Sequence, residues 1–489
     1  MSGLTTINTV GLAGLRTAQT GLNTTSGNIA GAAVEGFHRR EIHPMIGSPA
    51  TDPMIQGGSV IVDSVVRSWS GLVTTQYLDN RSKLTQSSTL FQSATVVDKM
   101  LVDESVGLTA VMNGFFSSAA DLAADPASDA KRTAFSASSQ ALADRINTLA
   151  VTIDETRARA FSDMDRIATE ANQKAAALAR VNVLVQSSSA FGKPLPSADL
   201  LDERDRIAGE LSKLIGAKIE YSAKGEANVR FANGMSLVDG VQAFRLDLAR
   251  SGEANLPTGV LKVTTQPTKD QPNPLAIGSV RGGVDALGEF GGLTRYAESS
   301  QDWLGRLGQV ATNMKSAMSN LDTDSGWKDK AGNSLVRKLA DGSDVAIDSV
   351  FYFDTESTLA IDRAPLLLRS ALGSGSSVPW STSEISESGR YPVDQTIAQG
   401  FASARETTTN SWSSWVTEVS GEIGTWKAEM TSFEGVDNAL AERAQQISGV
   451  DLDEEATNLL KFQQLYQANG SVMQAAMRMF DVLMGLSGR

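Results

Sequence analysis

The sequence predicts a mainly α-helical protein with β insertions, and two patterns carry that prediction. Apolar residues recur three and four positions apart over long stretches without proline, which is the spacing of one face of a helix. Two intervening segments show short alternating runs between turn residues, as β-hairpins do. The expected architecture is a pair of terminal coiled-coil helices, formed by the N- and C-termini together, a long helical-bundle rod domain and a protruding mainly-β domain.

The composition is that of a folded globular protein. At 489 residues the chain is too long for a single hydrophobic core, and about three domains are expected. The net charge of −13 disfavours nucleic acid and anionic membranes as partners, because their phosphates repel an acidic protein. The sequence contains no cysteine, which removes disulfides, thiolate catalysis and thiolate-rich zinc sites.

Neither a cleaved secretory leader nor a membrane helix is expected. The first residues lack the basic region and the apolar run of a leader. No stretch approaches the ~20 apolar residues that a membrane helix needs.

The helical pattern is strongest at the C-terminus, in residues 449–489. Its apolar or small residues recur three and four apart, and others widen the stripe beyond the seam of a two-stranded coiled coil. They are Leu452, Ala456, Leu459, Leu460, Phe462, Leu465, Tyr466, Gly470, Val472, Met473, Met477, Phe480, Leu483, Met484 and Leu486. An isolated helix of this kind exposes much apolar surface, so we expect it to need a partner.

A similar stripe runs along residues 4–29. Glycine, threonine and asparagine make this segment a weak helix former, which we expect to become ordered when its stripe is packed. The stripe consists of Leu4, Ile7, Gly11, Leu15, Ala18, Leu22, Thr25 and Ile29. Periodicity leaves two arrangements open: the termini form one intramolecular core, or they pack between copies of the chain.

Three segments without proline predict the rod. The stretch between Pro126 and Pro194 predicts one helix of roughly 75 Å, at 1.5 Å per residue. A return helix is predicted over 401–447 and a third helix over 287–321. Aromatic residues at helical spacing are usually packing residues, and those of the return helix include Trp412, Trp415 and Trp426.

The β predictions concern three segments. Turn residues and then β-branched runs in 44–80 predict an extended arm or short hairpin near 55–70, before a helix that resumes after Gly71. This arm is either a clasp between neighbouring subunits or an ordinary surface hairpin. Residues 216–282 and 322–395 predict further hairpins, with a clear strand at 350–353. Because both interrupt the rod, we expect them to form a domain that projects from its middle, away from the termini.

The charged cluster at 202–210 has a structural interpretation. Asp202 with Arg206, and Arg206 with Glu210, have the spacing of ion pairs on an exposed helix face. Asp199 is predicted to cap the N-terminus of that helix.

The candidate metal and cofactor sites lack the residues that such sites need at the required spacing. His38 and His43 have no third ligand nearby. The acidic loop 322–333 departs from a calcium loop at the positions that require glycine and a bidentate glutamate. Residues 373–375 (GSG) lack the third glycine and the following helix of a nucleotide loop. We therefore expect no catalytic residue, no metal, no cofactor and no enzymatic activity.

Four motifs resemble those of bacterial flagellar axial proteins. Residues 26–31 (SGNIAG) are similar to the motif Asn-Asn-Ile-Ala-Asn, with Gly27 and Gly31 in place of asparagines. Residues 36–39 (GFHR) are similar to Gly-Tyr-x-Arg, with Phe37 in place of the tyrosine. Residues 200–205 (LLDERD) and 448–455 (SGVDLDEE) resemble the flagellar hook-associated protein 1 family, the hook–filament junction proteins. The resemblance is good at both ends, fair near residue 200 and poor over 322–395.

The resemblance implies a structural component of the flagellum that joins hook to filament by ring-like self-assembly through its terminal helices. The implied partners are other copies in a homo-oligomeric ring, hook protein, a second junction protein, filament flagellin, and an export chaperone on the C-terminal helix. The implied location is extracellular, after export through the flagellar channel without a cleaved signal peptide. Alternatives are another axial protein (hook, rod or flagellin), an enzyme inserted at 322–395, and a secreted coiled-coil adhesin.

The expected domains follow the same resemblance. Residues 1–45 with 448–489 form a terminal helical assembly domain. Residues 46–215 with 285–321 and 396–447 form the rod, and residues 216–284 with 322–395 form the outer mainly-β domain. The expected assembly-interface residues are Leu4, Ile7, Leu15, Leu22, Asn28, Ile29, Gly36, Phe37, Leu452, Leu459, Leu460, Phe462, Leu465, Tyr466, Met473, Met477, Phe480 and Leu483.

Overall fold

Long helices dominate the structure. The computed structural model describes residues 2–34, 36–46, 60–102, 107–125, 128–190, 196–251, 255–267, 272–318, 336–338, 344–346, 350–354, 367–370 and 395–487. The helices in these ranges are α1 (Ser2–Gly31), α2 (Gly71–Val102), α3 (Leu108–Ala124), α4 (Asp129–Ala190), α5 (Ala198–Ile215), α6 (Gly288–Ala317), α7 (Gln395–Ser448) and α8 (Leu452–Ser487). None of these described helices is long and apolar enough to cross a membrane.

Short antiparallel strands lie between the helices. In the same ranges they are β1 (Arg40–Ile46), β2 (Val60–Arg67), β3 (Lys218–Tyr221), β4 (Ala227–Arg230), β5 (Ser236–Asp239), β6 (Gln242–Ala243), β7 (Arg245–Ser251), β8 (Leu256–Thr264), β9 (Ala276–Arg281), β10 (Val336–Lys338), β11 (Asp344–Ala346), β12 (Phe351–Asp354) and β13 (Leu367–Ser370). A mainly α-helical protein with β insertions is therefore confirmed.

The rod helices form where the segments without proline predict them. Helix α4 runs for 62 residues, which is ~93 Å at 1.5 Å per residue and longer than predicted. Its residues at three-and-four spacing, such as Leu142, Leu149 and Ile153, are buried. Helices α6 and α7 occupy the segments predicted for the third helix and the return helix.

Tryptophans of α6 and α7 form the centre of the bundle. Trp303 stacks on Trp426 with ring centroids 5.6 Å apart, and Trp412 stacks on Trp415 at 5.1 Å. The indole N–H of Trp303 donates to Glu422 at 2.8 Å, and that of Trp415 donates to the carbonyl of Trp303 at 3.1 Å. The indole N–H groups of Trp303 and Trp415 are therefore paired although the rings are buried. The prediction that the tryptophans of the return helix are core residues is confirmed.

The predicted hairpin segment 216–282 forms two sheets. The first has the strand order β3-β4-β5-β6 and the second has the order β7-β8-β9. Burial alternates along β8, so one face of that sheet is apolar and needs cover. The cover comes from the helices, since the buried residues of the sheets and of the bundle form one continuous cluster.

Two asparagines of α4 fix the sheets to that helix. The amide of Asn172 donates to the carbonyl of Leu246 at 2.8 Å and accepts from its N–H at 2.7 Å. The amide of Asn182 makes the same two bonds with Ala227, at 2.9 and 3.0 Å. Each amide thus pairs with strand backbone as a neighbouring strand would.

The placement of the first sheet differs from the predicted projection away from the termini. Tyr221 at the end of β3 lies edge-on to Trp69, with ring centroids 5.1 Å apart. Trp69 adjoins Ser68, whose hydroxyl donates to the carbonyl of Ile447 near the end of α7. A two-layer arrangement of sheet on helix explains the difference, because strands with one apolar face bury it against the nearest long helices.

The predicted arm is an antiparallel pair of β1 and β2, with a bulge between His43 and Pro44. In the outer segment, β12 confirms the predicted strand at 350–353. The calcium-like loop 322–333 and the glycine pair at 373–375 lie outside the described residues, as does most of 322–395.

Candidate assembly site at the joined termini

Helices α1 and α8 pack against each other in antiparallel orientation. Gly11 of α1 faces Met473 of α8, and Gly21, further along α1, faces Phe462, nearer the start of α8. A methyl group on Gly21 would lie 2.5 Å from Cδ1 of Phe462, closer than such atoms approach. The absence of a side chain is therefore what lets the aromatic ring lie against the backbone of α1.

This packing leaves many of the predicted interface residues uncovered. Leu460 is 59% exposed and Met477 is 54% exposed. The exposed members are Ile7, Ile29, Gly36, Leu452, Leu460, Leu465, Tyr466, Met477 and Phe480. The half-buried members are Leu15, Leu22, Phe37, Leu459, Phe462 and Met473, and Asn28 is buried. The side chains of Leu4 and Leu483 lie outside the described part of the structure.

A second apolar stripe runs along α8 beside the face that packs on α1. Its members alternate three and four apart, carry no charge and are all exposed: Leu465, Ala468, Val472, Ala475, Met479 and Val482. That spacing is the heptad seam of a coiled coil, with alanines that leave room for side chains of another helix. A different face of α8 is polar and carries Gln463, Gln467, Ser471, Gln474 and Arg478.

Asn28 connects the end of α1 to the start of the arm. Its side-chain amide donates to the carbonyl of Arg40 and accepts from the N–H of Arg40, each at 2.9 Å. The chain turns back on itself between these residues, and Gly36 within the turn has a φ of 82°. Glycine suits that position because other residues rarely adopt a positive φ.

Arg39 lies where α7 ends and α8 begins. Its backbone N–H donates to the carbonyl of Ser448, the last residue of α7, at 2.9 Å. Its guanidinium donates to Glu455 at 2.9 Å and to both carboxylate oxygens of Glu454 at 3.0 and 2.5 Å. The hydrogen bond with Glu454 raises the pKa of Arg39 against the effect of burial, so this side chain stays cationic.

Asp202 of α5 is the centre of a second ionic cluster. It accepts from Nδ1 of His38 at 2.8 Å and from Nη1 of Arg67 at 2.9 Å. Arg67 also pairs with Asp205 at 2.7 Å, and Arg40 pairs with Asp199. Burial alone raises the pKa of Asp202, but the hydrogen bonds from His38 and Arg67 outweigh it and lower the pKa below its usual value.

The structure corrects two predictions for this cluster. Asp202 does not pair with Arg206, because its carboxylate faces the N-terminal segment. Arg206 instead pairs with Glu203 at 2.7 Å and, as predicted, with Glu210 at 2.5 Å. Asp199 is not the N-cap of α5: the helix begins at Ala198, with Ser197 at the cap position, two residues before the predicted cap.

His38 is bonded to Asp202, and the described residues contain no group of three side chains that could hold a metal ion.

The structure brings together three of the motifs noted in the sequence. Residues 36–39, 200–205 and 448–455 meet at the base of the terminal helices through the pairs of His38 and Arg39. The predicted interface omits Arg39, Arg67 and Glu455 because that prediction follows apolar periodicity. Arg39 could have been identified from the sequence, because it is the last residue of the 36–39 motif.

The described structure is that of a mainly helical protein with joined termini, and its similarity to known proteins specifies its class. Residues 94–334 match the model of the flagellar hook-associated protein FlgK helical domain. Residues 442–486 match the model of the flagellar basal body rod FlgEFG protein C-terminal region.

Curated relatives match the chain over almost its whole length. Flagellar hook-associated protein 1 of Salmonella typhimurium is 24% identical over 97% of this chain and 98% of the relative. The Escherichia coli K12 protein of that name has the same values, and the Bacillus subtilis one is 23% identical over 97% of each. The chain belongs to the flagellar hook-associated protein 1 family and is a structural component of the bacterial flagellum. The name of these relatives describes proteins associated with the flagellar hook, which fits the expected structural role.

Proposed function

We propose that this protein joins the flagellar hook to the filament by assembling into a ring through its terminal helices. The observation that carries the proposal is the exposed heptad seam of α8, Leu465 to Val482, on a helix that already packs on α1. Apolar seams of this length are unfavourable in water and are buried by another helix.

The other copies of the chain are the proposed occupants of the seam. In this arrangement α1 and α8 form a coiled coil within one copy, and the seam of α8 packs on the terminal helices of the next copy. A contact of this kind between two different surfaces repeats around a closed ring. The glutamine-rich face of α8 remains in contact with water.

The proposal includes a division of the chain into three layers. We propose that residues 1–45 with 448–489 form the inner layer, and that the bundle of 46–215, 285–321 and 396–447 lies outside it. The sheets of 216–284, with 322–395, lie on the outer side of the bundle, and the first sheet also reaches Trp69 near the end of α7. The arm of β1 and β2 has exposed apolar residues at its far end, including Ile46 at 74%, which supports its role as a clasp between subunits.

The proposed partners are hook protein, a second junction protein and filament flagellin. Methionines Met473, Met477 and Met479 adapt their shape to different neighbours, which suits a component between two lattices. Before assembly, an export chaperone shields the apolar faces of α8 as a helix in a groove. The protein then leaves the cell through the flagellar channel.

Substitutions in the seam test self-assembly. We expect Val472→Gln with Met479→Gln to prevent ring formation, because two polar side chains would be buried in the seam. Gln467→Ala with Gln474→Ala, on the polar face of α8, is the matched control and should assemble normally. Sedimentation velocity of the full chain measures the outcome, and equal assembly by both pairs would refute the role of the seam.

A second candidate is another axial protein, favoured by the match of residues 442–486 to rod proteins. Immunogold imaging of native flagella separates the two. Label confined to the boundary between hook and filament supports the junction role, and label along the rod or the hook would exclude it.

A further inference from the structure

The link between α7 and α8 is very short. It consists of Gly449, Val450 and Asp451, between one helix of 54 residues and another of 36. Asp451 belongs to the start of α8, since its Oδ1 accepts from the N–H of Asp453 at 2.9 Å. A change at one or two backbone dihedrals of this link would move the far end of α8 by many ångströms.

Contacts from elsewhere in the chain cross this link. The backbone of Arg39 binds the carbonyl of Ser448 on the α7 side, and its guanidinium binds Glu454 and Glu455 on the α8 side. Ser68 strengthens the α7 side, because its N–H donates to the carbonyl of Arg39 at 2.8 Å and its hydroxyl donates to the carbonyl of Ile447 at 2.7 Å. Arg39 is thus bonded to both helices, immediately before and immediately after the link.

The chemistry of these pairs favours one geometry. The guanidinium is a rigid planar fork, and here it makes two bonds to Glu454 and a third to Glu455. Glu455 is 1% exposed, and a carboxylate that is removed from water needs a cation at close range. If α8 swung away, Glu455 would lose the cation that compensates its burial.

We propose that Arg39 is a positioning residue that holds the angle between α7 and α8, and that breaking its pairs with Glu454 and Glu455 releases α8 to swing about residues 449–451. The backbone bond to Ser448 anchors Arg39 to α7, while its side chain bonds Glu454 and Glu455 of α8 closely and Glu41 more distantly, at 3.8 Å. This inference concerns a bend inside one copy of the chain, and it stands independently of the proposed ring and junction.

Distance measurements between α7 and α8 test the inference. The natural chain has no cysteine, so Glu434→Cys and Gln464→Cys, both at exposed positions, provide unique sites for spin labels. Pulsed electron paramagnetic resonance on the full chain should give a narrow distance distribution. We expect Arg39→Ala to widen it at least twofold and Arg39→Lys, which keeps the charge but loses the fork, to widen it less.

Two further variants separate positioning from general stability. Glu455→Gln should also widen the distribution, and adding it to Arg39→Ala should widen it little more, because both remove the same interaction. Arg159→Ala removes a pair with Glu155 on the exposed surface of α4 and should leave the distribution narrow. If Arg39→Ala does not fold, as judged by circular dichroism, Arg39→Lys and Glu455→Gln decide the result.

Two results would overturn the inference. One is a distribution in the variants as narrow as in the parent chain, which would show that other contacts hold the angle. The other is a parent distribution as broad as that of the variants, which would show that there is no fixed angle. Neither result changes what the sedimentation of the seam variants reports, so the two proposals fail separately.

Discussion

Asp202 illustrates what a sequence reveals about a single charged residue. Its spacing from Arg206 fits a helical ion pair, but its actual partners, His38 and Arg67, are 164 and 135 residues away in the chain. Rules for neighbours on one helix contain no information about such partners. The pairing of Arg206 with Glu210 was predictable because both residues point to solvent from the same helix face.

Replacing Asp202 with asparagine should destabilise the protein. The change removes two charge-assisted hydrogen bonds and leaves Arg67, which is 5% exposed, with one fewer anionic partner. We expect a loss of about 2 kcal/mol in the free energy of unfolding, measured by denaturant titration. The matched control is Glu155→Gln, which removes an exposed pair with Arg159 and should cost less than about 0.5 kcal/mol. Equal effects of the two substitutions would contradict the assignment.

The lowered pKa of Asp202 also predicts a pH dependence. Its folded-state pKa lies below its unfolded value of about 3.9, so its contribution to stability is complete above that pH. The contribution is lost as the pH falls through the folded pKa. Stability curves of the natural chain and Asp202→Asn should therefore stay a constant distance apart from pH 6 to about pH 4 and converge only at lower pH. Curves that stay parallel below about pH 4 would argue against the hydrogen bonds as the cause.

Helix α1 needs glycine at the position where it contacts the aromatic ring of α8. Gly21 faces Phe462, whereas Gly27 has no atom within 4 Å of the position that a Cβ would occupy. Gly21→Ala should therefore separate α1 from α8, since an aromatic ring cannot move aside easily. Gly27→Ala should stabilise α1 by up to about 1 kcal/mol through helix propensity. Hydrogen exchange of α8 amides measures both, and a change in the same direction for the two variants would refute this account.

Periodicity predicted the elements better than their arrangement. The helices of the rod follow from proline-free runs with apolar residues three and four apart, and the strands follow from alternation between turns. The position of the first sheet beside Trp69 was not predictable, because an apolar strand face indicates that cover is needed and not which helix supplies it. The stripes of α1 and α8 likewise indicate contact but not that the two helices are antiparallel.

Helix α8 should be dispensable for the folding of the rest of the chain and necessary for the assembly of copies. It packs mainly on α1, while the rod has its own core of buried aromatic and aliphatic residues. Deleting residues 450–489 should leave a soluble, helical monomer, detected by circular dichroism, that no longer self-associates in sedimentation. Self-association at the level of the intact chain would contradict the proposed role of the terminal helices.

The amides of Asn172 and Asn182 have a mechanical consequence. They lie ten residues apart on α4, or ~15 Å along its axis. Asn172 holds one sheet by two hydrogen bonds, and Asn182 holds the other by three. A sheet cannot slide along the helix without breaking these bonds together. A load on either sheet along the axis of α4 would therefore reach that helix at these two points, and the loss of either amide would remove one of them.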